Sequence, residues 1–257
     1  MDLLGSLAIA FSMYSRIPMP RTEWTKRRMR YAMCFFPLIG LVIGGLQALL
    51  LTALRRLGAG DACTGLLGAC LPLAVTGGIH MDGFLDTTDA LRSYGDREKK
   101  LAILKDPHTG AFAIIGAGAY LLVYAAACSE LSGRAAGLFG ACFVLERALS
   151  GWSVACFPKA KKDGLAAEFS RAAEKRALCA CMILYAALSC GWLLWFGAWE
   201  GLGCIGVALL TFLSYYRTAV REFGGMTGDL AGWFLQRCER NTAAFLAFCC
   251  LAGLERV

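Results

Sequence analysis

The sequence predicts an all-α, polytopic integral membrane protein that forms one helix bundle. The chain of 257 residues is 58% hydrophobic and only 18% charged, so it has too few polar side chains to cover a soluble core of this size. Its apolar residues are gathered into runs, several of which approach the roughly 20 residues that a helix needs to cross a bilayer. Because no polar stretch is long enough to fold alone, we expect residues 1–257 to form a single membrane-embedded domain.

Seven apolar segments define the expected spans, and a shorter one precedes them. The seven are 32–54, 62–79, 111–131, 135–157, 177–196, 202–216 and 243–254. The last two are short, so they are either extended by polar flanks or do not cross fully, and we expect about six to seven transmembrane helices. Residues 3–14 are too few to span, and they are expected to form an interfacial or re-entrant helix at the N-terminus.

Basic residues set the expected orientation. Most of the 26 lysines and arginines fall in the segments 15–31, 82–105, 159–176 and 217–240. Since basic loops stay in the cytosol, these four segments are expected to be cytosolic. The net charge of +7 is then explained by topology in a lipid bilayer, and no nucleic acid is expected as a partner. The 13 cysteines lie mostly in apolar segments and are interpreted as small apolar side chains.

The densest acidic cluster is Thr76-Gly-Gly-Ile-His-Met-Asp-Gly-Phe-Leu-Asp-Thr-Thr-Asp89. Its aspartates, Asp82, Asp86 and Asp89, have the spacing i, i+4, i+7, which places them on one face of a helix. Three like charges repel each other there, and a hard divalent cation such as Mg²⁺ would remove the repulsion by binding carboxylate oxygens. The alternative is a solvated acidic helix face at the membrane edge.

Three further features carry polar chemistry. Asp106 and His108 lie in a turn before the third span, where they either bend back towards the acidic cluster or serve as a loop with a helix cap. The glycine-rich segment 223–229 either binds phosphate through backbone N–H groups or caps the helix that follows. Glu146 and Arg147 lie at membrane depth, where ionisable residues usually face the bundle interior, as a functional site or as a mutually compensating pair.

Acidic metal ligands, a glycine loop and cationic loops on one side of the membrane favour transfer of a phosphate-containing group, because metal and positive charge offset developing negative charge. A secondary transporter is the alternative from a different class. Its site would lie near the bilayer midplane between broken helices, whereas the acidic cluster lies at a predicted cytosolic boundary.

Taken together, the motifs resemble the adenosylcobinamide-GDP ribazoletransferase (cobalamin synthase) family. The acidic cluster follows that family's TGG-x-H-x-DG-x-x-D-T-x-D signature. The other matches are Ser15-Arg-Ile-Pro-Met-Pro20, Phe36-Pro-Leu-Ile-Gly40, Lys105-Asp-Pro-His-Thr-Gly110, Arg147 and Gly224-Gly-Met-Thr-Gly-Asp229. One departure lies in 157–165, where the family's Pro-Tyr-Ala-Arg pattern has lysine in place of arginine.

The resemblance implies the last assembly step of cobalamin. A hydroxyl of α-ribazole, or of its 5′-phosphate, attacks the phosphorus of adenosylcobinamide-GDP that is linked to cobinamide, and GMP leaves. The implied catalytic residues are Asp82, Asp86, Asp89 and His80, with the proton acceptor left open between an aspartate, Asp89 above all, and His80. The implied Mg²⁺ ligands are Asp82, Asp86, Asp89, Asp106 and Asp229. The implied substrate-binding residues are Arg16, Arg147, Gly224, Gly225, Thr227 and Gly228.

The resemblance also implies a place in the cell. We expect a multi-pass protein of the bacterial or archaeal cytoplasmic membrane with its active site on the cytosolic side, and a homo-oligomer is left open. The aspartate-rich motif also looks like that of CDP-alcohol phosphotransferases, in which an alcohol displaces a nucleoside monophosphate from a diphosphate. This is the nearest alternative among enzymes.

Overall fold

The computed structural model describes residues 2–160, 169 and 171–254. Apart from one isolated bridge between Lys159 and Met226, the regular secondary structure of these residues is helical. The α-helices are α1 (Leu3–Tyr14), α2 (Lys26–Ala32), α3 (Phe36–Arg56), α4 (Asp61–Thr76), α5 (Ile79–Arg92), α6 (Arg97–Ile103), α7 (Ala111–Glu130), α8 (Gly133–Cys156), α9 (Lys175–Phe196), α10 (Ala198–Thr218) and α11 (Gly228–Leu251). A 3₁₀ turn, Met33–Phe35, joins α2 to α3, and a π-helical turn, Ala219–Phe223, extends α10.

Within the described part of the chain, five helices are long and apolar enough to cross a membrane, or six if the bent pair α4 and α5 is one span. Their outward faces are apolar, as on α9, where Ile183, Leu184 and Leu188 are exposed. These helices indicate a multi-pass membrane protein and confirm the predicted all-α bundle. Six predicted segments, from 32–54 to 202–216, overlap α3, α4 and α7 to α10, and residues 3–14 form α1.

The seventh predicted segment, 243–254, is not a separate helix but is extended by its polar flank, which is one of the outcomes that the sequence left open. It overlaps the second half of α11, a single helix of 24 residues, and the predicted loop 217–240 is largely helical. The reason is that polar side chains in the first half of α11 find partners inside the bundle. Glu239, for example, is only 1% exposed and contacts Arg147. A prediction from hydropathy assigns such a segment to a loop, because it cannot distinguish a charged side chain that is paired inside the bundle from one that is solvated.

The predicted segment 62–79 ends early because two glycines break the helix. Gly77 and Gly78 have φ angles of 67° and 81°, in the left-handed region that glycine adopts without steric cost. The axes of α4 and α5 therefore meet at a bend of 100°. This bend turns α5, with its acidic residues, away from the direction of α4.

A side chain of α3 repairs a second irregularity in α4. Pro72 lies inside that helix and has no backbone N–H to donate to the carbonyl of Gly68, four residues earlier. The buried side chain of Gln47 fills this gap, since its Nε2 donates to the Gly68 oxygen at 2.9 Å. In a bilayer no water is available for an open carbonyl, so this bond both satisfies α4 and ties it to α3.

The centre of the bundle is α8, most of which is buried, and its closest partner is α3. Gly40 and Gly44 lie one turn apart on α3, and a Cβ at either position would overlap a backbone carbonyl oxygen of α8, from Phe143 and Gly140 respectively. A Cβ at Gly140 would in turn meet the Gly44 oxygen at 2.7 Å. Small residues spaced in this way let two membrane helices approach until their backbones touch.

We predict that Gly44→Ala lowers the melting temperature of the purified protein in detergent, because the added methyl has no room against Gly140. Overpacking of this kind typically costs about 1–3 kcal/mol. The neighbouring Gly45→Ala is the matched control, because no atom lies within 4 Å of a Cβ built there. It should melt at or slightly above the wild-type temperature. Equal melting temperatures for the two variants would contradict the close contact of α3 and α8.

Candidate active site

The predicted acidic face lies on α5, but its three aspartates have different surroundings. The side chain of Asp82 is exposed and makes no hydrogen bond to another described residue, whereas Asp86 and Asp89 are half-buried. The Asp89 carboxylate accepts hydrogen bonds from the backbone N–H groups of Gly110, at 2.5 Å, and Ala113, at 3.0 Å. It therefore caps the start of α7. Its predicted roles as metal ligand and proton acceptor stay predictions, and both compete with these bonds.

The start of α11 packs directly on α5. A Cβ at Gly83, on α5, would lie 2.6 Å from the backbone oxygen of Asp229 and 2.7 Å from its Cα. One turn further along α11, a Cβ at Gly232 would lie 2.8 Å from the backbone oxygen of His80. These contacts bring Asp229 next to Gly83, which lies between Asp82 and Asp86 in the sequence. The acidic motif and the glycine loop are thus neighbours, although about 140 residues separate them in the chain.

The glycine loop has a backbone that only glycine adopts readily. Gly224 and Gly225 follow the π-helical turn with φ angles of 72° and 154°. Thr227 then caps α11, since its hydroxyl accepts a hydrogen bond from the N–H of Leu230 at 3.2 Å. The helix begins at the exposed Gly228, so its first N–H groups point into the space that the loop borders. The capping function that the sequence left open is confirmed.

The loop is held from the other side by the segment that follows α8. The N–H of Met226 donates to the oxygen of Pro158 at 2.8 Å, and the N–H of Ala160 donates to the oxygen of Met226 at 3.1 Å. Gly225 is required there, because a Cβ would lie 2.6 Å from the nitrogen of Ala160. Residues 161–165, which contain the lysine that departs from the family pattern, lie outside the described residues, so the effect of that change stays a prediction.

Two arginines lie across glycines of the predicted motifs. The side chain of Arg16 lies on Gly77, and its backbone N–H donates to the oxygen of Val75 at 2.7 Å. The guanidinium of Arg97 covers Gly224, where any Cβ would overlap it. Arg16 is a predicted substrate-binding residue and lies at the bend between α4 and α5. Arg97 was not predicted, since its only signal in the sequence is a place in a basic segment.

Lys159 is a second cation that the sequence did not single out. Its Nζ donates to the carbonyl oxygens of Ser153, Val154 and Phe157 at 3.3, 2.6 and 3.1 Å, so it caps the C-terminal end of α8. Burial lowers the pKa of Lys159 to about 8, and the positive charge of Lys175 acts in the same direction. An ammonium at this position holds the segment that pairs with the glycine loop.

The predicted set of five aspartate ligands is not assembled as one shell. Among residues 2–160, 169 and 171–254, no three His, Cys, Asp or Glu side chains are grouped so as to hold a metal ion. Asp106 is exposed, and its Oδ1 contacts His108 Nδ1 at 2.7 Å. Hydrogen bonds from His108, from its backbone N–H first, hold the pKa of Asp106 below its usual range. Asp106 thus stabilises its own turn in the structure, and its predicted role as a ligand stays a prediction.

His80 points away from the open acidic face. It is 4% exposed, packs between the rings of Tyr14 and Phe36, and lines a small cavity of about 50 Å³. Its Nε2 has no hydrogen-bond partner among the described residues. A proton acceptor must reach the substrate hydroxyl directly or through one water, so this enclosed position favours an aspartate over His80 as the acceptor.

Arg147 lies inside the bundle with two carboxylate partners. It is fully buried, and it contacts Glu146 at 2.5 Å and Glu239 of α11 at 3.3 Å. The compensating pair that the sequence left as an alternative is therefore present, enlarged by Glu239. The predicted contact of Arg147 with substrate stays a prediction. The sequence did not single out Glu239, because its partner Arg147 lies 92 residues away in the chain.

We predict that Asp89→Asn loosens the segment before α7. The amide places an NH₂ group where one of the two carboxylate oxygens accepts, so in this geometry it loses the bond from Gly110 or from Ala113, and it also loses the favourable charge at a helix N-terminus. Trypsin should then cleave after the exposed Lys105 several-fold faster than in the wild type. Asp82→Asn is the control, since Asp82 makes no such bond. Equal cleavage of both variants would show that Asp89 does not anchor this segment.

Comparison with known proteins covers almost the whole chain. Residues 6–249 match the family described as cobalamin-5-phosphate synthase. The protein named adenosylcobinamide-GDP ribazoletransferase in Lachnoclostridium phytofermentans is 48% identical over 240 residues, which are 93% of this chain and 92% of that protein. Proteins of the same name in Desulfitobacterium hafniense and Clostridium perfringens (strain 13) are 32% and 29% identical, over 93% and 91% of this chain and 95% and 94% of their own lengths.

No solved structure matches the chain. The family match includes the segments that meet at the acidic face: the one around Arg16, the bend at Gly77, the start of α7 and the glycine loop. The resemblance expected from the motifs is thereby confirmed, and this chain belongs to the cobalamin-5-phosphate synthase family.

Proposed function

We propose that this chain transfers the adenosylcobinamide phosphate group from adenosylcobinamide-GDP to α-ribazole or its 5′-phosphate, with release of GMP. The observation that carries this proposal is the 48% identity, over 93% of the chain, to a relative named adenosylcobinamide-GDP ribazoletransferase. The product is adenosylcobalamin or its 5′-phosphate, so the reaction is the last assembly step of cobalamin. No observation on the site favours a CDP-alcohol acceptor or a transported solute.

The geometry supports a reaction at one end of the bundle. Three contacts gather the predicted motifs there: Arg16 lies on Gly77, Asp89 bonds to Gly110, and Gly83 touches the backbone of Asp229. Each contact joins segments that are distant in sequence or separated by a turn. These contacts support a site whose groups are near one phosphorus atom before substrate arrives, which would lower the entropic cost of the reaction.

The donors around Gly83 suit Mg²⁺. The ion prefers oxygen ligands, keeps several waters, and is usually held by one or two carboxylates together with substrate phosphates rather than by a closed protein cage. Asp82, Asp86 and Asp229 meet that description, because Gly83 lets the start of α11 approach between the first two. We assign Asp86 and Asp229 to the metal. When bound, Mg²⁺ would offset the charge of the diphosphate and of departing GMP.

The chemistry requires one proton acceptor. As the new bond forms between the ribazole oxygen and phosphorus, the bond from phosphorus to the GMP oxygen breaks, and the hydroxyl proton leaves the attacking oxygen. We assign Asp82 as the acceptor, because its carboxylate is exposed and has no hydrogen-bond partner among the described residues, whereas Asp89 caps α7 and His80 is enclosed. The cations of Arg16 and Arg97 are placed to bind phosphate oxygens.

We propose that this end of the bundle faces the cytosol, because the segments that meet there are the basic ones. In intact cells, an impermeant maleimide should label the exposed native Cys63, at the opposite end of α4, and should leave Glu98→Cys on α6 unlabelled until the membrane is permeabilised. Cys70 and Cys156, which are also exposed, are replaced by alanine beforehand. Labelling of Glu98→Cys from outside intact cells at the rate of Cys63 would contradict this orientation.

We predict that purified Asp82→Asn and Asp86→Asn proteins each release GMP from adenosylcobinamide-GDP more slowly by orders of magnitude. The two should differ in a Mg²⁺ titration. Asp86→Asn should need more Mg²⁺ for half-maximal rate, since it removes a ligand, whereas Asp82→Asn should lose rate at all Mg²⁺ concentrations. Asp61→Asn is the control, because Asp61 is exposed at the other end of α4, where it pairs with Arg55 at 2.5 Å.

Folding of each variant is checked by its melting temperature. Well-folded Asp82→Asn and Asp86→Asn proteins with the rate and Mg²⁺ dependence of Asp61→Asn would leave the acidic residues as a solvated helix face. A protein that releases no GMP under any condition, but moves a corrinoid across a vesicle membrane, would support the transporter alternative instead.

A further inference from the structure

A cluster of three charged side chains lies in the middle of the bundle, apart from the proposed active site. Glu146 and Arg147 of α8 are both 0% exposed, and Glu239 of α11 is 1% exposed. Arg147 Nη1 lies 2.5 Å from Glu146 Oε1, and Arg147 Nη2 lies 3.3 Å from Glu239 Oε1. One guanidinium thus faces two carboxyl groups, and the cluster would carry a charge of −1 if all three groups were ionised.

A net charge at this depth is not stable by itself. Moving an isolated carboxylate from water into a medium of low dielectric constant costs far more than the whole folding free energy of a domain, so a buried charge is paired or neutralised. Arg240, a further cation on α11, is half-buried and directs its guanidinium to Asn241, at 2.9 and 3.2 Å. One positive charge is therefore missing from the described surroundings of the cluster.

The hydrogen bonds of the two carboxyl groups show where the missing positive charge belongs. Glu239 has both oxygens occupied, because Oε1 accepts from Arg147 and Oε2 accepts from Gln236 Nε2 at 3.4 Å. Glu146 has one occupied oxygen, whereas its Oε2 is buried and has no hydrogen-bond partner among the described residues. Both carboxyl groups contact the same guanidinium, so they lie near each other. Two carboxylates that lie close together disfavour each other's charge unless one of them holds a proton.

We propose that the cluster is a buried proton-binding site, in which one proton resides on Glu146 Oε2, the carboxyl oxygen that has no hydrogen-bond partner among the described residues. The cluster then holds one carboxylic acid, one carboxylate and one guanidinium, and its net charge is zero. Arg147 bonds to both carboxyl groups through its Nη atoms in this arrangement and joins α8 to α11. This assignment is independent of the proposed transferase reaction.

Other titratable groups near the cluster do not supply the missing charge. They are Tyr120, Tyr124 and Cys128 on α7, Cys142 on α8, Cys238 on α11, and His80 on α5. Phenols and thiols are uncharged at neutral pH by their ordinary pKa values. A protonated His80 would be a second cation beside Arg147, and like charges disfavour that form.

The proposal fixes the sign of a pH effect. The folded protein holds a proton that glutamate in the unfolded chain releases above its ordinary pKa of about 4.3. Stability therefore falls as pH rises above that value, and the unfolding equilibrium constant gains about tenfold per pH unit from this site. Glu146→Gln removes the contribution, because the amide resembles the neutral acid in shape and also donates a hydrogen.

The test compares unfolding in mixed detergent micelles across neutral pH for the wild type, Glu146→Gln and Glu239→Gln. Each variant leaves one carboxylate beside Arg147 and should lack the extra tenfold rise per pH unit. Glu146→Gln should keep wild-type GMP release. The double variant leaves Arg147 without a counter-charge and should give little folded protein. Glu200→Gln is the matched control, because Glu200 is also buried but pairs one-to-one with Arg134, at 2.6 Å, so the wild-type slope should remain.

Infrared spectroscopy gives an independent readout. The wild type should show the C=O band of a protonated carboxylic acid at neutral pH, and Glu146→Gln should lack it. The same pH slope in the wild type and in both single variants, together with no such band, would overturn the proposal. Stabilisation of the wild type by Na⁺ or K⁺, absent in Glu146→Gln and without a pH slope, would show a bound cation in place of the proton and would also overturn it.

Discussion

Contact between backbones at glycines is the constraint on which both the bundle and its motifs depend. In a bilayer, lipid tails are as apolar as leucine, so helices associate through close packing and hydrogen bonds rather than through the hydrophobic effect. Gly44 lets α3 touch Gly140 of α8, and the same device recurs at the candidate site, where Gly83 receives the backbone of Asp229. The glycines of the motifs therefore have a packing reason for their presence, besides any contact with a phosphate.

The second constraint is that polar groups inside the bundle must satisfy one another. Gln47 donates to the carbonyl that Pro72 leaves open, and Arg147 lies between two glutamates. Such groups are placed by partners on other helices, because no water is available to them. They join helices at defined positions, which close packing of small residues alone does not achieve, and each one makes the position of α3, α4, α8 or α11 more specific.

The sequence predicts most spans, because length and hydropathy are local properties. The same holds for the helical face that carries Asp82 and Asp86, since a spacing of four residues fixes it. What it cannot predict are contacts between distant segments. Nothing near Asp89 indicates that its carboxylate caps α7, and nothing near Glu239 indicates a partner on α8. The segment 217–240 was wrongly predicted to be a loop for this reason. The sequence does not distinguish a charged residue that is paired inside the bundle, such as Glu239, from one that is exposed to water.

The position of α5 shows how these constraints prepare a reaction. The helix is fixed at its start by the bend at Gly77, in its middle by the contact of Gly83 with α11, and near its end by the bonds of Asp89 to α7. Asp82 and Asp86 lie between these fixed points. A helix that is held at three places fixes the backbone from which both carboxylates project. Rigid support of carboxylates suits the transfer of a phosphate group that we propose, and the guanidinium groups that lie on the neighbouring glycines would add the positive charge that a diphosphate needs.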